Sequence, residues 1–231
     1  MIDVSRRELK YLISLERVTE LKRHLSSVMQ KDAYTNAEGY RVRSLYFDTP
    51  FDSDFEQKVD GYDKRQKIRL RVYDPKAETV KLELKEKDGT VQRKCSLLLS
   101  REEAERMIAG DYMFLMERKE PLAHWLYTFL MTKCYRPKCI VEYDRYAFCE
   151  KTNDIRVTFD MNLRATEASY DLFCENLVLY PVAAPSEVTM EVKYSGFLFT
   201  YIKNIISKTE KMQISNSKYC RARNITKRGR K

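Results

Sequence analysis

Several residue types on which common functional sites depend are scarce in this chain. There are two histidines, His24 and His124, in 231 residues. Both fall on helical patterns, where they read as surface or packing residues and not as catalysts. The six cysteines, Cys95, Cys134, Cys139, Cys149, Cys174 and Cys220, contain no CxxC pair. That excludes a zinc-ribbon or disulfide framework and points to reduced thiols in a cytoplasmic protein. Six glycines and six prolines leave little material for long flexible linkers. No G-x-x-x-x-G-K-[ST] loop is present, so a P-loop cannot hold phosphate here. No apolar run reaches the roughly 18 residues of a membrane span, and residues 1–6 lack the apolar core of a signal peptide. Repeats, low-complexity stretches and composition breaks are also absent. The expectation is one domain over residues 1–225, followed by a basic tail, residues 226–231, expected to be disordered.

Charge is abundant. Lys plus Arg number 43 against 34 Asp plus Glu, a net charge of +9, while 43% hydrophobic residues suffice for a core. The balance favours anionic partners: nucleotides, inorganic phosphate chains, nucleic acid or acidic lipid. The positive charge is patterned. In Arg65-Gln66-Lys67-Ile68-Arg69-Leu70-Arg71-Val72 the cations alternate with mostly apolar residues, and side chains alternate across a strand. Val80-Lys81-Leu82-Glu83-Leu84-Lys85 repeats the pattern, and Lys87-Asp88-Gly89 marks a turn before Arg93 and Lys94. A wetted hairpin face explains alternation alone. Four like charges in a row on one strand face repel, however, and a solvated surface mixes its signs. A cationic wall around a polyanion accounts for both features, since Arg forks and Lys point charges suit phosphate oxygens.

Further strands follow the same rule. Glu8 and Lys10 share a face of a first strand, Arg7 to Ile13. Tyr143, Arg145 and Ala147 share a face, as do Arg156, Thr158 and Asp160, and as do Glu187, Thr189, Glu191 and Lys193. Amphipathic helices are expected from Leu15 to about Val28 and from Phe197 to Ser207. Ser100-Arg101-Glu102-Glu103 is a capping box, and Pro121 opens a helix whose Trp125, Phe129 and Leu130 read as core. An antiparallel barrel of about eight strands reconciles these faces: α+β, apolar outside under the helices, charged inside around a wet tunnel.

The segments Arg7-x-x-Lys10-Tyr11, Ser44-Leu45-Tyr46-Phe47-Asp48-Thr49-Pro50, Arg69-Leu70-Arg71, Glu83-Leu84-Lys85, Tyr143-Asp144-Arg145, Arg156-Val157-Thr158-Phe159-Asp160, Glu191-Val192-Lys193 and Ser217-Lys218 together resemble the VTC domain. That is the polyphosphate polymerase domain of the vacuolar transporter chaperone family and its bacterial relatives, within the CYTH-like triphosphate tunnel metalloenzymes. The resemblance runs from about Arg6 to Arg223. It implies that Lys10, Arg69, Arg71, Lys85, Arg145 and Arg156 grip and activate a triphosphate. It further implies that Arg93, or its neighbour Lys94, together with Ser217 and Lys218 contacts substrate phosphates, and that Glu191 holds Mn²⁺ or Mg²⁺. The superfamily's opening Glu-x-Glu-x-Lys reads Arg6-Arg7-Glu8-Leu9-Lys10 here, so its first carboxylate is replaced by Arg6. Glu8 and Glu83 are metal ligands or counter-charges, and Glu191 has the alternative of pairing with an arginine.

The resemblance implies an ATP-dependent polyphosphate polymerase, with ATP and polyphosphate as partners. Alternatives are a triphosphatase of the same fold and a non-catalytic polyphosphate-binding module. Nucleic acid is not an expected partner, because the cations alternate within strands and no RNP or helix-turn-helix signature is present.

Overall fold

A computed structural model describes residues 6–89, 91–215 and 217–228. The elements in order are β1 (Arg6–Ser14), α1 (Leu15–Ser26), β2 (Gln30–Lys31), β3 (Tyr40–Asp48), α2 (Ser53–Val59), β4 (Arg65–Val72), β5 (Thr79–Asp88) and β6 (Val91–Ser100). There follow α3 (Arg101–Ile108), α4 (Phe114–Glu117), α5 (Pro121–Thr132), β7 (Arg136–Glu150), β8 (Ile155–Thr166), β9 (Tyr180–Pro181), β10 (Glu187–Ser195), α6 (Thr200–Ser207), β11 (Met212–Gln213) and α7 (Lys218–Arg228). The disorder expected of residues 226–231 is not what the helix shows as far as Arg228, and residues 229–231 lie outside the described residues.

All strand pairings are antiparallel. Their order is β11-β1-β10-β8-β7-β3-β4-β5-β6, with β2 added to β7 and β9 to β8. The closed eight-stranded barrel expected from the sequence is therefore corrected: among the described residues the sheet has eleven strands and does not close. Side chains bridge β1 and the segment before α7 to β4, β5 and α2. Lys85 Nζ meets Glu8 Oε2 at 3.0 Å, Lys67 donates to Ser217 Oγ at 2.6 Å, and Lys58 donates to Ser215 Oγ at 2.9 Å. Two rows of charged side chains face each other there. They require room and counter-charge, which a backbone ladder would deny them.

The expected division of faces is present. Ile68, Leu70, Val72, Val80, Leu82 and Leu84 are buried with Ala104 and Met107 of α3, Phe114 and Leu115 of α4, and Ala123, Leu126 and Leu130 of α5. On the other flank, Val157, Phe159, Val188, Met190 and Val192 pack against Val18, Leu21 and Leu25 of α1 and Ile202 and Ile206 of α6. Each Val, Leu, Ile, Phe or Met among them contributes about 1.5–3 kcal/mol when fully buried. Trp125 departs from its expected place in the core and is 43% exposed. The buried stripe of α5 is Ala123, Leu126 and Leu130. Trp125 lies off that stripe and stacks on Phe129 with centroids 4.8 Å apart. No helix among the described residues is long and apolar enough to cross a membrane.

A third cluster sits on the inner face and positions the C-terminal helix. Tyr219, Cys220 and Ala222 of α7 pack against Val42, Tyr46, Val141 and Tyr143. Asp48 anchors this arrangement. Its carboxylate accepts from the backbone N–H groups of Thr49, Asp54 and Phe55 and from the Tyr219 hydroxyl at 2.6 Å. It thereby satisfies the open N-terminus of α2, whose N-cap residue Asp52 makes no side-chain cap. The Asp48–Tyr219 bond ties α7, and with it Ser217 and Lys218, to the end of β3. Tyr219→Phe is expected to cost about 1–3 kcal/mol, read as a lowered thermal midpoint. Unchanged stability would show that packing alone seats α7.

Candidate triphosphate-binding site

A cavity of about 450 Å³ opens on the inner face of the sheet, lined by ten Lys or Arg side chains and four carboxylates. It adjoins a second cavity of about 310 Å³, and Glu8, Lys10, Lys67, Lys85 and Gln92 border both. Register explains the convergence, because directly paired residues share a sheet face. Lys10 pairs with Glu191 and Glu8 with Lys193; Arg69 pairs with Glu83, Lys67 with Lys85, and Arg145 with Asp160.

Two charge networks result. In the first, Glu83 holds Arg69 Nε at 2.8 Å, Arg71 Nη1 at 3.5 Å and Lys94 Nζ at 2.5 Å. In the second, one oxygen of Glu191 lies 3.2 Å from both Lys10 and Lys218. The other lies 3.0 Å from Lys193 and 3.9 Å from Arg145. Asp160 accepts a forked pair of bonds from Arg145, at 2.6 and 2.8 Å, and meets Lys218 at 2.5 Å. Glu8 joins the second network through Lys10 and reaches across to β5 through Lys85.

Cations outnumber carboxylates, and the titration behaviour reflects this. Burial opposes ionisation of Glu8, yet Lys193, Lys10 and Lys85 outweigh it and bring its carboxyl down to about 2. Burial likewise opposes the charge on Glu191, which Lys193, Lys218, Lys10 and Arg145 hold well below the usual carboxylate range. Lys67 shows the reverse. Burial, with Lys10, Lys58 and Lys85 close by, pushes its amine down to about 7. Arg71 is 8% exposed, and its Nε has no hydrogen-bond partner. A buried unsatisfied donor in a cationic cavity is a place for an anion's oxygen.

Of the residues expected from the sequence, Lys10, Arg69, Arg71, Lys85, Arg93, Arg145, Glu191, Ser217 and Lys218 all border this cavity. Arg156 does not: its guanidinium is taken by Asp32 and by the Tyr40 hydroxyl at 2.8 Å. Arg93 borders the cavity, but it pairs with Glu86. Its neighbour Lys94 pairs with Lys85 and so shares the inner face. Lys67 stood in the cationic row read for β4, but the resemblance assigned no role to Lys67, Lys193 or Asp160. Their signal was present as positions on the same polar strand faces.

Among the described residues no three His, Cys, Asp or Glu side chains converge as a ready metal cage. A lone carboxylate is nevertheless compatible with Mg²⁺ or Mn²⁺, which commonly bind one or two carboxylates plus substrate phosphate oxygens. Glu191, now held by Lys10, Lys193, Lys218 and Arg145, would meet that requirement if substrate phosphates took over its cations, and Glu8, which shares Lys10 with it, is the next carboxylate. The donor set thus fits a metal that arrives with the polyanion.

The VTC domain family matches residues 5–227. Among solved structures, a candidate adenylate cyclase from Bacillus halodurans superposes with a TM-score of 0.50 at 12% identity, covering 93% of this chain and 95% of that one. A protein from Pyrococcus horikoshii gives 0.47 at 12% identity, covering 97% and 98%. Comparison with curated proteins gives no match. The fold is similar to that of the Bacillus halodurans protein.

Proposed function

The chain belongs to the VTC domain family, and from that premise we propose that it transfers the γ-phosphoryl group of ATP to phosphate or to the end of a growing polyphosphate chain. The observation that supports this most is the cavity itself: ten cationic side chains against four carboxylates, with the Arg71 Nε donor unpaired. Phosphoryl transfer asks little covalent chemistry of a protein. It requires in-line positioning and stabilisation of charge on the transferred group. Arg69, Arg71, Lys85 and Lys94 form one wall and Lys10, Arg145, Lys193 and Lys218 the other, so a triphosphate is gripped from both sides. When bound, Mn²⁺ or Mg²⁺ would neutralise phosphate charge beside Glu191. Ser217 and Lys218 at the start of α7 contact the phosphates, and Asp160 orients Arg145 and Lys218. Arg156 acts as a positioning residue through Asp32 and Tyr40. We place this activity in the cytoplasm.

A hydrolase reading rests on Lys67, whose amine titrates near neutrality and would accept a proton from attacking water. An acceptor phosphate is already ionised and needs no such base. The deciding experiment incubates the purified chain with γ-labelled ATP and Mn²⁺ and separates products by length. Label in long chains is expected; label only in free phosphate would replace the polymerase with a triphosphatase.

Lys67 also sets a pH dependence. Its free amine is charged below about 7 and neutral above, and an entering polyanion favours the charged form. Binding therefore takes up a proton, and affinity falls as pH rises through and above 7, by at most about tenfold per unit. Titrations of inorganic tripolyphosphate between pH 6 and 9 are expected to show this slope, beyond the ligand's own titration, and Lys67→Met to lose it. Equal slopes in both proteins would remove Lys67 from the site.

A further inference from the structure

Three tyrosines from separate segments meet one strand step beyond the cationic cavity. Tyr34 lies in the loop between β2 and β3, Tyr40 opens β3, and Tyr73 follows β4. The rings of Tyr34 and Tyr73 are parallel within 1°, with centroids 6.1 Å apart. Tyr40 stands edge-on to both, at 6.3 and 5.9 Å. Tyr34 is 71% exposed and Tyr73 39%, so the stack presents an open aromatic face to solvent. Aromatic side chains of this size are ordinarily placed where they bury surface, and here the surface is left uncovered.

The cluster is joined to the phosphate cavity at its Arg71–Arg145 end. Tyr73 follows Arg71 by two residues, about 7 Å along an extended chain and on the same face. Tyr40 pairs directly with Arg145. Lys81, the cross-strand partner of Arg71, places its ammonium 5.8 Å from the Tyr73 ring centroid. Asp32 holds the Tyr34 loop by accepting from the Tyr34 N–H at 3.2 Å, and it also pairs with Arg156, which donates to Tyr40. Arg156, which does not line the cavity, thus buttresses the aromatic cluster.

We propose that the Tyr34–Tyr73 stack is a nucleobase platform: phosphates held by Arg71 and Arg145 leave the ribose directed outward and the purine stacked on the open face of Tyr34. The proposal rests on the triphosphate reading above and adds what that reading lacks, a means of distinguishing a nucleoside triphosphate from an inorganic one. Stacking on an aromatic ring needs no hydrogen-bond code, so the platform accepts any purine and favours purines over pyrimidines by their larger face. The rings adjoin Arg156 and Lys81, whose charge suits a ligand with an anionic end.

The test compares ATP with inorganic tripolyphosphate by calorimetric titration in the presence of Mg²⁺. Wild-type protein is expected to bind both, ATP more tightly. Tyr34→Ala is expected to weaken ATP about tenfold while leaving tripolyphosphate unchanged. Tyr34→Phe, which keeps the ring, should retain ATP affinity. The exposure of Tyr34 makes either variant harmless to folding, and the unchanged tripolyphosphate titration verifies this within the same experiment. Equal wild-type affinities for the two ligands, or an equal loss of both in Tyr34→Ala, would overturn the platform while leaving the phosphate site standing. Failure of both ligands to bind wild-type protein would overturn the platform and the triphosphate reading together.

Discussion

Arg71→Ala is expected to lower ATP turnover by about tenfold or more. Arg71 is buried on β4, shares Glu83 with Arg69, and carries a donor with no partner. A triphosphate would complete it, and each charge-assisted bond in such a site contributes roughly 1.5–3 kcal/mol, with about 1.4 kcal/mol per factor of ten in rate. The comparison that gives this result meaning is deletion of residues 226–231, which removes four positive charges. They follow Lys218, the last cavity-lining residue in the sequence, and surface charge is screened at physiological salt, so the deletion is expected to change turnover by less than about threefold. Steady-state ATP consumption with Mn²⁺ at about 0.15 M salt measures both. Equal losses would mean that diffuse surface charge, not an ordered cavity, attracts the nucleotide.

Glu191→Gln is expected to remove most metal-dependent turnover and also to destabilise the ligand-free protein. An amide is a weaker ligand than a carboxylate for a hard cation. The second effect arises because Glu191 is the shared counter-charge of Lys10, Lys218, Lys193 and Arg145. Removing one member of a buried ion pair costs about 3 kcal/mol or more, on the order of 10 °C in melting temperature. Tripolyphosphate supplies the missing negative charge, so it should raise the melting temperature of Glu191→Gln by more than that of wild type. The pH dependence follows from the depressed carboxyl. Its stabilisation is fully present above the ordinary value of 4.5 and is lost as pH falls below it. Glu191→Gln should flatten that acid limb. A variant with wild-type stability, wild-type acid limb and full metal response would show that Glu191 is neither counter-charge nor ligand.

The division between inner and outer faces was legible from alternation in β4, β5 and β10, because a one-residue period error would have put Arg69 and Arg71 among Leu82, Leu97 and Leu126. Sheet closure was not. It depends on whether β6 and β11 find each other as ladder partners, and two-residue β11 already ends at Gln213. The choice of Lys94 over Arg93 was hidden for a related reason: the parity of β6 is set by the turn after Asp88, not by its own residues. Arg156 reads as inward on its strand, but Asp32, far away in sequence, captures it. Asp160 and Lys193 sat on polar faces where a structural charge and a functional one look alike until their partners converge. Trp125 was misplaced because its size suggested burial, while the helical stripe of Ala123, Leu126 and Leu130 excluded it. The Tyr34, Tyr40 and Tyr73 cluster had no sequence signal at all, since loop conformation and strand order bring the three together.

The most direct measurement is an equilibrium titration of the wild-type chain with inorganic tripolyphosphate, at about 0.15 M salt, repeated with Arg71→Ala and with the deletion of residues 226–231. An ordered cation-lined cavity predicts one saturable site per chain, weakened by about tenfold or more in Arg71→Ala and nearly unchanged by the deletion. Several weak sites, diminished equally by both changes, would contradict it.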